Sequence, residues 1–206
     1  MKHEDNPSDG ELFQSMLAGG EDALAALFRR RQGGIYRFAL QMCGSQALAE
    51  DVTQEVFMVL IRDGQTFDPT RGSLNSFLVG VARNLLLRRL QRERFYVPMD
   101  EHSDNEEATQ KSFLTTGGPL EDLSRIETVN SVRVAVLALP ERYREVVVLC
   151  DLQEMSYVEA AEVLSCAVGT VRSRLHRARA LLIDKLRPTH EEEAAPTAAK
   201  SARCFA

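Results

Sequence analysis

The stretch SYVEAAEVLSCAVGTVRSRLHRAR, residues 156–179, decides how the rest of the chain is understood. Val158, Ala161 and Leu164 recur at helical spacing after Ser156, a residue suited to capping a helix. Ser165-Cys166-Ala167 supplies a short turn, and Val171 and Leu175 then start a second apolar stripe at i and i+4. Ala161 stands where two such helices cross, and a larger side chain would hold them apart. The pattern predicts a helix-turn-helix. It sends Thr170, Arg172, Ser173, Arg174 and Arg177 outward on the second helix. In a major groove, arginine pairs bidentately with guanine, and hydroxyls reach phosphates or base edges. An arginine run alone describes a solvated helix face equally well. Its coincidence with the turn is what points to DNA.

Charge extends the argument outward. The whole chain carries a net −5 over 206 residues, which opposes nonspecific binding to nucleic acid. The charge is unevenly distributed, however. Residues 82–96 hold Arg83, Arg88, Arg89, Arg92 and Arg94 against Glu93 alone, and residues 170–187 hold five arginines and Lys185 against Asp184. Between them, residues 97–128 carry eight acids against Lys111 and Arg125, few apolar positions and a TTGGP break. This organisation predicts two basic, DNA-contacting modules on a flexible acidic tether.

Upstream of the tether the apolar period is helical throughout. Leu12, Met16 and Leu17 begin it, and Ala23, Leu24, Leu27, Phe28, Ile35, Phe38, Ala39 and Met42 continue it, with Gly33-Gly34 as an expected weak point. ALAEDVTQEVFMVLIR, residues 47–62, divides into an apolar stripe of Leu48, Val52, Val56, Val59 and Leu60 and a polar face of Asp51, Gln54, Glu55, Met58 and Arg62. From periodicity alone that face is simply solvated. GQTFDPTRGS forces a turn, Ser73 caps the next helix, and GSLNSFLVGVARNLLLRRLQRER, residues 72–94, ends in an arginine ridge with Asn84 in its midst. Such a ridge suits nucleic-acid backbone and unpaired bases. A basic helix end complementing its own dipole would need fewer arginines.

The predicted fold class is therefore all-α, with two small helical domains at 11–96 and 129–187 joined by a flexible linker at 97–128. Residues 1–10 and 188–206 are expected to be disordered, and Pro188 to stop the last helix. Sparse Gly and Pro and the absence of Trp agree with helices. No apolar run has the length of a membrane span, and the polar N-terminus MKHEDNPSDGE lacks a secretory h-region, so a cytoplasmic protein without membrane insertion is expected. Cys43, Cys150, Cys166 and Cys204 form no CxxC pair, and the four histidines are scattered, so no metal site and no cofactor are expected. Nothing resembles a catalytic triad, a phosphate loop or a small-molecule substrate site, which argues against an enzyme.

Three motifs, AEDVTQEVF (49–57), FDPTRGSLNSFLVGVARNLLLRRLQR (67–92) and LPERYREVVVLCDLQEMSYVEAAEVLSCAVGTVRSRLHRARALL (139–182), resemble the extracytoplasmic-function (ECF) sigma factors. The resemblance implies an N-terminal domain that binds core RNA polymerase and the minus-10 promoter element, and a C-terminal domain that reads the minus-35 element. It reassigns Asp51, Gln54 and Glu55, with Phe57 at the edge, from solvent to the polymerase. It implies that Arg71, Gly72, Ser73, Asn75 and Asn84 capture a flipped promoter base while Arg83, Arg88 and Arg89 hold phosphates. It also implies a dedicated anti-sigma factor. The chain departs from the family pattern at Phe77, where Trp is usual, and at Leu87-Arg88, where an acid is frequent. An ordinary helix-turn-helix regulator is the alternative that composition and periodicity leave open; it would have no need of the AEDVTQEVF face.

Overall fold

A computed structural model describes residues 7–96 and 119–187, with side chains placed for 7–92 and 127–187. Among the described residues all regular structure is helical. The first helix, α1 (Asp9–Leu17), starts inside the stretch expected to be disordered. The reason is local: Ser8 and Glu11 form a reciprocal capping box that satisfies the first orphan amides. Asp9 then ties α1 to α2 (Glu21–Cys43) through Arg30, at 2.7 Å, and Arg31.

Helix α2 runs unbroken through Gly33-Gly34, contrary to the weak point expected there. Two glycines weaken a helix by about 1 kcal/mol each. Burial of Leu27, Ile35, Phe38 and Ala39 on either side outweighs that, because each large apolar side chain contributes roughly 1.5–3 kcal/mol. Gly44 ends the helix in the left-handed conformation, φ 73°, and Ser45 caps α3 (Gln46–Asp63). After a 3₁₀ turn at Gly64–Thr66, Ser73 accepts the Ser76 amide at 3.1 Å and opens α4 (Leu74–Tyr96), as its position predicts. Helices α2, α3 and α4 pack on one another, with α1 across α2.

The second unit begins with α5 (Pro119–Leu137), whose first turns lie within the segment read as linker. The rest of that segment, 97–118, lies outside the described residues, as do the expected terminal tails at 1–6 and 188–206 and the Pro188 stop. Pro140 precedes α6 (Glu141–Val147), which widens into a π turn at Val148–Leu152. Ser156 and Glu159 form a second capping box at the start of α7 (Tyr157–Leu164). Ser165, φ 51°, makes the turn into α8 (Val168–Leu186). The two units are not separated in space. Helix α4 packs on α7 and α2 on α5, and one continuous buried apolar cluster runs through both.

Candidate polymerase and nucleic-acid interfaces

Three surfaces carry the residues singled out by sequence. The first is the outer face of α3. Val52, Val56 and Leu60 are fully buried and orient the helix, which leaves Asp51 and Gln54 exposed and Glu55 half-buried beside them. Met58 and Ile61 share this face and are 63% and 54% exposed. Ile61 was not anticipated, although it lies seven residues after Gln54, two helical turns along. Phe57 requires a correction. It is buried and its ring packs 4.7 Å from that of Phe28, so it belongs to the core and is not offered to a partner.

The second surface is a cleft of about 630 Å³ at the start of α4. Arg71, Ser73 and Asn84 line it, with Asp68, Gly72 and Ser76, while Phe67 and Phe77 form an aromatic wall with ring centroids 5.3 Å apart. Phe77, the position where the family pattern has Trp, thus does face the cleft. Its volume is of the size that takes a small planar ligand. Asn75 is not among its lining residues. Its Oδ1 accepts from Arg31 of α2 at 3.3 Å.

The arginine ridge divides into three different environments. Arg88 is exposed. Arg89 donates to Glu55 at 2.6 Å and to Asp51 at 3.2 Å, linking the ridge to the first surface. Burial by itself would lower its pKa, but the hydrogen bonds and charges of Glu55 and Asp51 prevail and raise it. Arg83 turns away from the ridge and donates from Nε to Glu145 of α6 at 2.6 Å. Glu145 is 4% exposed, and the charge-charge pairing compensates for its removal from water.

The third surface is α8. Val171, Leu175 and Ala178 are buried, which leaves Arg172, Ser173 and Arg177 exposed and Thr170 and Arg174 half-buried on the outward side. Arg172 lies over the Tyr157 ring at 5.8 Å, and Ser173 Oγ donates to the Thr170 carbonyl at 3.1 Å. A hydrogen bond from Arg177 to Tyr143, aided by nearby Arg142, lowers the pKa of that phenol. Arg179 is held by both carboxylate oxygens of Asp151 in the π turn, at 2.5 and 3.1 Å.

Sequence reasoning missed the acids that the second unit brings to the cleft. Glu162, with Val163 and Ser165, forms its far wall, and Glu159 Oε1 accepts from Ser73 at 3.3 Å. Ser73 and Glu159 are 86 positions apart, and no periodicity joins them. Among the described residues no cluster of His, Cys, Asp or Glu could hold a metal ion, and no helix is long and apolar enough to cross a membrane. Among the described residues Cys43, Cys150 and Cys166 form no disulfide and are partly buried.

Comparison with known proteins places these surfaces in a family. Sigma-70 region 2 matches residues 27–96, the bundle that carries the first two surfaces, and Sigma-70, region 4 matches residues 130–182, which hold the helix-turn-helix. The chain is 32% identical to the ECF RNA polymerase sigma factor SigW of Bacillus subtilis over 85% of this chain and 95% of the relative. It is 31% identical to the ECF RNA polymerase sigma factor SigE of Mycolicibacterium smegmatis, over 94% of this chain and 73% of the relative. The solved structure of CnrH in complex with the cytosolic domain of CnrY is similar at 25% identity and a TM-score of 0.63, covering 85% of this chain and 95% of that one. Two helical units of this kind, in this order and over this length, make the chain a member of the ECF sigma factors of the sigma-70 family, initiation factors that bind core RNA polymerase and direct it to promoters.

Proposed function

We propose that the three surfaces divide the work of initiation. The α3 face of Asp51, Gln54 and Glu55, extended by Met58 and Ile61, docks on core polymerase. Its exposed apolar pair supplies contact area and its acids supply complementarity. The cleft takes an extruded minus-10 base between the Phe67–Phe77 wall and the polar edges of Arg71, Ser73 and Asn84. Arg88 follows the adjoining phosphates, Arg83 and Arg89 join it only when they leave Glu145 and the Glu55–Asp51 pair, and Asn75 braces α4 against α2. On α8, Thr170, Arg172, Ser173, Arg174 and Arg177 enter the major groove at the minus-35 element.

The observation that carries this reading is the cleft itself, where hydrogen-bonding side chains expected from sequence converge on an aromatic wall. The protein works in the cytoplasm without chemistry of its own. An anti-sigma factor is its further partner, as membership of the family implies. Transcription from candidate promoters by core polymerase, with and without the protein, tests the reading. Promoter-specific transcripts only in its presence are expected. Their absence across promoters to which core enzyme and protein jointly bind would refute it.

A further inference from the structure

Tyr143 lies in the first turn of α6, where its amide donates to the Pro140 carbonyl at 2.8 Å. Its side chain is half-buried and meets two guanidinium groups. The phenol oxygen accepts a hydrogen bond from Arg177 of α8, and the Arg142 guanidinium lies over the ring, 4.8 Å from its centroid. Arg177 itself is exposed on the outward side of α8. We propose that Tyr143 is a positioning residue for minus-35 reading: its hydroxyl holds the Arg177 guanidinium in the direction the DNA requires, so that a residue outside the helix-turn-helix sets part of the promoter preference. This rests on the assignment of Arg177 to the minus-35 groove under Proposed function.

Other arginines of the fold are held differently. Arg179, two residues further along α8, gives two donors to the Asp151 carboxylate, Arg83 gives one to Glu145, and Arg89 is shared by Glu55 and Asp51. In each case an acid both orients the guanidinium and cancels its charge. Among the described residues no carboxylate lies in ion-pair contact with Arg177. A phenol oxygen accepts one of its hydrogens without neutralising it, so Arg177 is oriented and keeps its attraction for DNA. The guanidinium has five N–H donors in a fixed fork, so one bond to Tyr143 leaves others for a bidentate contact. Arginine has much rotamer freedom to lose, and a fork held in advance loses less of it on binding. The holder is itself well anchored. Arg142 covers the ring face. Arg144, the next residue, donates to the Met42, Leu137 and Leu139 carbonyls, and Val146 and Val147 are buried in the following turn. On the other side Val171, Leu175 and Ala178 are buried, which fixes the rotation of α8 and brings Arg177 to the phenol.

The test compares four full-length proteins with core polymerase at one ionic strength: wild type, Tyr143→Phe, Arg177→Ala and the double variant. The probes are promoter duplexes substituted at each base pair of the minus-35 element, in competition, with folding checked by circular dichroism. Tyr143→Phe keeps the ring beneath Arg142 and removes only the hydroxyl. It should weaken preference by roughly two- to tenfold at the base pair where Arg177→Ala relaxes it, and leave the other base pairs unchanged. In the Arg177→Ala background it should change nothing. A merely structural role would lower binding to every duplex evenly and would persist in that background; either result overturns the proposal. If Arg177→Ala relaxes a base pair and Tyr143→Phe does not, positioning has failed and the α8 assignment stands. If Arg177→Ala relaxes no base pair, the assignment of Arg177 to minus-35 reading has failed and the proposal with it. Nitrogen-15 relaxation at Arg177 Nε, measured without DNA, is independent of promoter binding. That nitrogen should be more mobile in Tyr143→Phe than in wild type, and equal mobility overturns the proposal. Arg142→Gln, which uncovers the ring and keeps its hydroxyl, should raise the same mobility and serves if Tyr143→Phe does not fold.

Discussion

Arg89 of α4 and Glu55 of α3 are joined by a 2.6 Å hydrogen bond, so the basic ridge assigned to promoter phosphates and the acidic face assigned to polymerase are one network. Asp51 completes it at 3.2 Å. On the assignments proposed above, docking and strand binding meet at one guanidinium: a partner that draws Glu55 away leaves Arg89 held by Asp51 alone.

The double change Gln54→Arg/Glu55→Arg should abolish co-purification with core polymerase while leaving far-UV circular dichroism near wild type. Gln54 is exposed and the helix is anchored by Val52, Val56 and Leu60, and loss of the half-exposed Glu55–Arg89 pair costs at most about 1 kcal/mol, so the fold survives the change. Retained co-purification would place docking elsewhere.

Arg174→Ala should weaken minus-35 binding by about 1–3 kcal/mol and relax preference at one base pair, as loss of a bidentate base contact does. Val171 and Leu175 hold α8 so that Arg174 is directed outward. Competition among duplexes mutated across the element, with core polymerase present, measures it; unchanged preference with the fold intact removes Arg174 from base reading.

Asn84→Ala should reduce open-complex formation more than initial binding. Asn84 is exposed on the cleft, and its amide can meet a base edge only after the base leaves the duplex. Permanganate footprinting of the minus-10 region separates the two steps. Equal losses in both would mean plain backbone contact.

Ser156→Ala should lower stability by about 1 kcal/mol near neutral pH, through loss of the α7 cap. The hydrogen bonds from Ser156 hold the Glu159 pKa below the ordinary carboxylate value, against the opposing effect of burial. A depressed folded-state pKa contributes stability above the unfolded-state value, about 4.3, and that contribution is lost as pH falls through the folded-state value. The gap between wild type and variant should therefore narrow on acidification below about pH 4. Denaturant midpoints measured from neutral to acid pH check this; a constant gap would show that the cap acts without the carboxylate.

Helix type, order and several boundaries were legible in the residues themselves. Apolar period, the Ser73 and Ser156 caps and the turn at Ser165-Cys166-Ala167 are local features, acting within one or two turns of chain. The outward set on α8 follows from the inward set for the same reason, since Val171 and Leu175 settle where Arg172, Ser173 and Arg177 can point. Burial between distant segments decided the remainder. It made Phe57 a core residue against Phe28, carried α2 through Gly33-Gly34 and drew Asn75 toward Arg31. Above all it set Glu145 on Arg83 across 62 positions and Glu162 on Gly72, pairings that depend on how two helical units meet. A helical pattern specifies which face of each segment seeks a partner, but the identity of that partner is settled only when all the faces compete for burial at once.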